Sequence, residues 1–115
     1  MLTNRLQDGQ LYIEEKVVLD LTEHVVNSFS PSVKLVPMLK DRMTAALQKN
    51  YKRGIHVSVE DTNISLKIKL SYLYGQCIPN MTITIQNAVK TEIEEITGFT
   101  IETIDVVVEA IHFED

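Results

Sequence analysis

The lone cysteine, the three histidines and a cluster of glutamates are the side chains of this chain that could carry out a reaction. Cys77 sits in the corner Gly75-Gln76-Cys77-Ile78-Pro79, and a thiol becomes a working nucleophile only beside a base. His24, His56 and His112 are all remote from it in sequence, so only the fold could supply that base. A structural or incidental cysteine is the plainer reading, and a cysteine-dependent activity the sharper one. No two histidines have the spacing of helical metal ligands, and one cysteine makes neither an internal disulfide nor a cysteine zinc site. Glu92, Glu94 and Glu95 read as the solvated flank of a helix rather than as an acid/base pair. Neither common glycine-rich phosphate-binding pattern is present. The residues therefore point to no catalytic residue, no cofactor and no metal, and an enzyme is not the expectation.

Two groups suit binding better. Lys40, Arg42, Lys49 and Arg53 lie in a segment whose apolar residues Leu39, Met43, Leu47 and Tyr51 recur every four positions, the mark of an amphipathic helix opened by Pro37. At about 100° per residue, Arg42, Lys49 and Arg53 fall within about 40° of one another on its flank. Tyr72 and Tyr74 form the second group. Both take the apolar phase of a long strand, which makes them core or interface filling; exposed instead, they could stack on bases or anchor a partner.

Charge separates along the chain. The net charge is −5, yet residues 34–53 carry a local +5, while residues 92–115 hold eight acids and no base. Two solvated faces would account for this. So would a basic patch for an anionic partner, or head-to-tail self-association.

The elements that must position these groups follow from periodicity. Residues 1–8 read as a flexible tail, ahead of a single domain over residues 9–115. Leu11 and Ile13 alternate with polar neighbours as an edge strand, and Val18, Leu21, Val25 and Phe29 have helical spacing that Pro31 ends. After the basic helix, Gly54 leads into a strand of Ile55, Val57 and Val59. Asp61, Thr62 and Asn63 then turn it back into the strand of residues 64–74, apolar at every second position. That strand is long enough for its far end to overhang the hairpin and pair elsewhere. Beyond Pro79, β-branched alternation competes with the helical spacing of Ile85, Val89, Ile93 and Ile96; length and the capping Gly98 decide for a helix. In the last segment both phases are largely apolar, which predicts a strand that is central or covered on both faces. The expected fold is α+β, order β-α-α-β-β-α-β, with helices on one face of a small mixed or antiparallel sheet.

At 115 residues, 44% hydrophobic and 23% charged, the composition is that of one ordinary globular domain. No apolar run approaches the roughly 20 residues of a membrane span, and the first residues lack a secretory apolar core. A cytoplasmic location is the expectation. The hairpin, helix and strand are also similar to KH-type modules for single-stranded nucleic acid. Those clamp their ligand with a GXXG loop that this acidic chain lacks, so nucleic acid is the alternative partner and not the leading one.

Four fragments in register carry a more specific likeness: Tyr74-Gly75-Gln76-Cys77-Ile78-Pro79, Ile85-Gln86-Asn87-Ala88-Val89, Glu95-Ile96-Thr97-Gly98 and Thr103-Ile104-Asp105-Val106-Val107-Val108. They resemble the alkaline shock protein family, the envelope stress response proteins of Gram-positive bacteria. Gly9-Gln10-Leu11-Tyr12-Ile13 resembles the family's opening strand. The chain departs from the pattern between Phe29 and Ile55, and in the Met81-Thr82-Ile83-Thr84 stretch after the proline corner. The resemblance implies a small cytoplasmic protein without enzymatic activity or cofactor. It also implies self-association into homo-oligomers and gathering at the inner face of the membrane through a membrane-anchored protein partner.

Overall fold

The computed structural model describes residues 2–36, 54–60 and 62–114. The helix expected from Pro37, with its stripe and its bases, lies outside them, as does Asp61. The described elements are β1 (Leu2–Leu6), β2 (Gly9–Ile13), α1 (Glu15–Asn27), β3 (Val33–Leu35), β4 (Ile55–Glu60), β5 (Asn63–Leu73), α2 (Ile78–Thr97) and β6 (Thr100–His112). This is an α+β fold with a mixed sheet.

β5 is the axis. Its alternate residues Ile64, Leu66, Ile68, Leu70 and Tyr72 are buried without exception. They form one cluster with Val18, Leu19, Val25 and Val26 of α1 and Ile85, Val89 and Ile93 of α2, so both helices cover the same face of the sheet. Each fully buried Leu or Ile contributes about 1.5–3 kcal/mol, which makes this seam the main source of stability.

β4 returns antiparallel to β5 from Glu60↔Asn63 to Ile55↔Ile68, the expected hairpin. The overhanging end of β5 is then taken by β3, antiparallel, with Val33↔Tyr72 and Leu35↔Leu70. Sequence reading missed β3, because three residues between Pro31 and Pro37 are too few to show a period. β3 and β4 lie end to end along one edge of β5. At their junction the Lys69 C=O accepts from the Val36 N–H (3.0 Å) and the Lys69 N–H donates to the Gly54 C=O (2.8 Å). Gly54 has φ +70, and a Cβ there would stand 2.7 Å from the Val36 carbonyl oxygen, so the junction needs glycine on both counts.

α2 carries the chain back so that β6 pairs parallel to the whole of β5, as a crossover connection allows. Pro79 stands in the first turn and Gly98, φ 75, caps the end, donating its N–H to the Glu94 carbonyl. The helix expected beyond Pro79 is thus present, but its stripe differs. Ile85, Val89 and Ile93 are buried, whereas Ile96 is 57% exposed and Thr97 is buried in its place. Steps of four residues rotate the contact line by about 40° each, so by the last turn it reaches residue 97.

Two further expectations are corrected. Residues 2–8 are not a tail: Leu2–Leu6 pairs antiparallel with Gly9–Ile13 in a separate two-stranded sheet, turned by Gln7 and Asp8 ahead of Gly9. β6 is not central or covered on both faces. Among the described residues it pairs only with β5, and Val108, Ala110 and Ile111 are exposed along it. Its doubly apolar phase marks an uncovered edge rather than a second layer.

Candidate interaction surface

Register aligns the sheet into rows. On the helix-covered face these run Val57–Leu66–Ile104, Ile55–Ile68–Val106, Leu35–Leu70–Val108 and Val33–Tyr72–Ile111. The rows are buried at β5 and lose cover at β6, where Val108 is 44% and Ile111 42% exposed. The opposite face carries neither of the described helices and its described residues are mostly polar. His56, Lys67 and Asp105 share one row, Ser58, Ser65 and Thr103 another, and Lys34, Ser71 and Ala110 a third. Charge grades across that face from lysine on β3 and β5 to acid on β6. Lys67 and Asp105 stand directly opposed in this register, although no ion pair joins them among the described residues.

The outer edge of β6 is unevenly guarded. Near its start, two polar side chains of α2 reach backbone groups: Glu94 Oε2 accepts from the Ile101 N–H and Gln86 Nε2 donates to the Ile104 C=O, both at 2.8 Å. Gln86, Asn87, Lys90, Glu102 and Thr103 line a shallow open cavity of about 210 Å³ between helix and strand, with Ile101 and Ile104. Beyond Ile104 no described side chain bonds the outer backbone. Strand alternation places the outward groups of Val106 and Val108 next along that edge. At Leu70/Ser71 the register slips past Glu109, a bulge that twists the strand, as an earlier slip leaves out Glu102.

An aromatic pair closes this corner. Tyr74 is 70% exposed, because the chain leaves the sheet at Leu73 and turns at Gly75, φ 101. Its ring stacks on Phe113 with centroids 5.1 Å apart. Tyr72 is instead taken up by the core, its hydroxyl bonded to that of Thr82, so the two tyrosines do not share a surface. His112 ties the corner down, with Nδ1 2.7 Å from Ser71 Oγ and Nε2 donating to the Pro31 carbonyl at 2.8 Å. That bond identifies Nε2 as protonated and joins the end of β6 to the loop after α1.

The remaining sequence candidates scatter. Lys40, Arg42, Lys49 and Arg53 lie outside the described residues, although the segment that bears them leaves and rejoins the sheet at the β3/β4 junction. Cys77 is exposed at the N-cap of α2 and makes no capping bond. Among the described residues no group of His, Cys, Asp or Glu is placed to hold a metal. No described helix is long and apolar enough to cross a membrane. The surface missed by sequence reading is the β6 edge itself. Its signal was the run of three valines flanked by acids and by no base, an apolar strand that carries its own charges.

The fold and this surface define an α+β domain built on a strand, helix and parallel strand, with one long edge left unpaired among the described residues. A family model for the alkaline shock proteins, described as having a cell envelope-related function, matches residues 3–113. The chain belongs to that family, as the four fragments between Tyr74 and Val108 and the strand at Gly9–Ile13 implied. No curated protein and no solved structure matches it.

Proposed function

We propose that this protein is a non-enzymatic scaffold of the cell-envelope stress response, associating with itself and recruited to the inner face of the membrane by a protein partner. The observation that carries the reading is the outer edge of β6, a 13-residue strand paired on one side among the described residues, with Val108, Ile111, Phe113 and Tyr74 exposed beside it. Unpaired strand edges bordered by apolar side chains attract further chain. Self-association draws on the second asymmetry, the acid-only stretch that begins with Glu92, Glu94 and Glu95 on α2 against the bases of residues 34–53.

Light scattering across a concentration and salt series tests the self-association. Species larger than a monomer that shrink as salt rises are expected; a strict monomer at every concentration and ionic strength overturns it. Recruitment is tested by pull-down from native membranes with the tagged protein. Recovery of one membrane-anchored protein is expected, and recovery of RNA in its place would return the reading to nucleic acid.

A further inference from the structure

The geometry points to the outer edge of β6 over residues 106–112 as a docking site for an extended strand of another protein, one whose residues alternate apolar with lysine or arginine. This rests on the interaction role proposed above and gives the partner its chemistry.

The pattern comes from the strand that β6 already holds. On its inner edge, Ile68 and Leu70 stand opposite Val106 and Val108 on the helix-covered face, while Lys67 stands opposite Asp105 on the open face. An added strand meets the same residues from the other side. Its helix-side residues face Val106, Val108 and Ile111, and its open-face residues face Asp105, Val107 and Ala110, with Glu109 bulged between Val108 and Ala110. Neither acid forms an ion pair among the described residues. The main chain supplies affinity and the alternate side chains supply choice, as in other strand-addition complexes.

Position along the edge follows from α2. Gln86 and Glu94 satisfy outward groups at Ile104 and Ile101, closing the first half, so the open portion begins at Val106. A second copy of this chain is a poor occupant. β6 and β4 contain no lysine or arginine, β1 has only Arg5, and β3 spans three residues.

The test titrates the 115-residue chain with a synthetic peptide copying residues 63–71, Asn-Ile-Ser-Leu-Lys-Ile-Lys-Leu-Ser, and follows backbone amide resonances. Shifts confined to residues 106–112 and the Tyr74–Phe113 corner are expected. A peptide with both lysines changed to glutamate should bind at least about fivefold more weakly, the scale of two partly exposed ion pairs. Val108→Pro removes an outward N–H and should abolish binding. Should that variant misfold, Glu109→Lys keeps the edge and should narrow or reverse the preference between the peptides. Shifts along β4, indifference to the lysine exchange, or no shift at saturating peptide would each overturn the site. So would wild-type oligomers that Glu109→Lys disperses in the absence of peptide, since a second copy would then hold the edge. A peptide that fails while the protein still forms larger species removes this site and leaves the scaffold reading. A strict monomer that binds the peptide does the reverse.

Discussion

The two edges of the sheet meet the same central strand and differ in almost everything else. On one side β5 is covered by β3 and β4, two short strands with a break between them where residues 37–53 leave and return. On the other side β6 runs unbroken from Thr100 to His112. Short and interrupted strands are poor templates for strand addition, whereas a continuous edge is a good one unless something guards it. α2 guards the first half of β6 with Gln86 and Glu94, and no other described side chain guards the second half. The sheet therefore has a direction, with one side closed by a break in the chain and the other open over residues 106–112.

Leu70 holds both sides at once, opposite Leu35 on β3 and Val108 on β6, and it is fully buried. Leu70→Ala should cost about 2–5 kcal/mol and loosen the two edges together. The urea midpoint reads this directly. A loss confined to one edge, seen as exchange of only β3 or only β6 amides, would break the view of β5 as a shared axis.

Gly54→Ala attacks the interrupted side alone. A positive φ and a carbonyl oxygen 2.7 Å from the added Cβ should together cost about 1–3 kcal/mol. The amides of Val36 and Lys69 should exchange faster while those of β6 keep their protection. Unchanged stability would mean that the junction between β3 and β4 can open without consequence.

How far this asymmetry could be read beforehand depends on what each strand asks of its neighbours. β5 was legible because one buried face imposes strict alternation over five residues, and α2 was legible because only a helix uses 20 residues between a proline and a glycine. Strand partners were not. Val106, Val107 and Val108 are as apolar as a strand between two layers, yet Val106 joins the core only in part and Val108 is exposed, and where cover ends is a property of packing rather than of period. Tyr74 shows the same limit: it continues the phase of Tyr72, but the chain has already turned out of the sheet. Gln86 and Glu94 look like solvated helix flank, and their bonds to β6 appear only once α2 is laid beside it. Of the basic candidates, only the attachment point of their segment is on view.

Gln86→Ala sharpens the comparison by unguarding the first half of β6. Its bond to the Ile104 carbonyl is partly exposed, so water replaces it and the cost should be about 0.5–1.5 kcal/mol. With that carbonyl uncovered, the footprint of the lysine peptide on the edge should extend toward residue 104. A footprint that stays at residues 106–112 would mean that the bulge at Glu109, rather than the helix, sets where a strand can add.

The smallest expected change in stability belongs to Val108→Lys, and it separates the two edges most cleanly. Val108 is already 44% exposed, so a long side chain there can reach water and the free energy of unfolding should move by no more than about 0.5 kcal/mol. The same residue borders the stretch where a further strand would lie, and a lysine there places charge against the apolar side chains of any incoming strand. Peptide binding should therefore be lost while the fold persists. Ser58→Lys makes the matched change on β4, where the residue is also exposed. There the same charge should leave peptide affinity unaltered. Equal losses from the two substitutions would mean that net charge governs association, and the difference between a broken edge and a continuous one would have no consequence for binding.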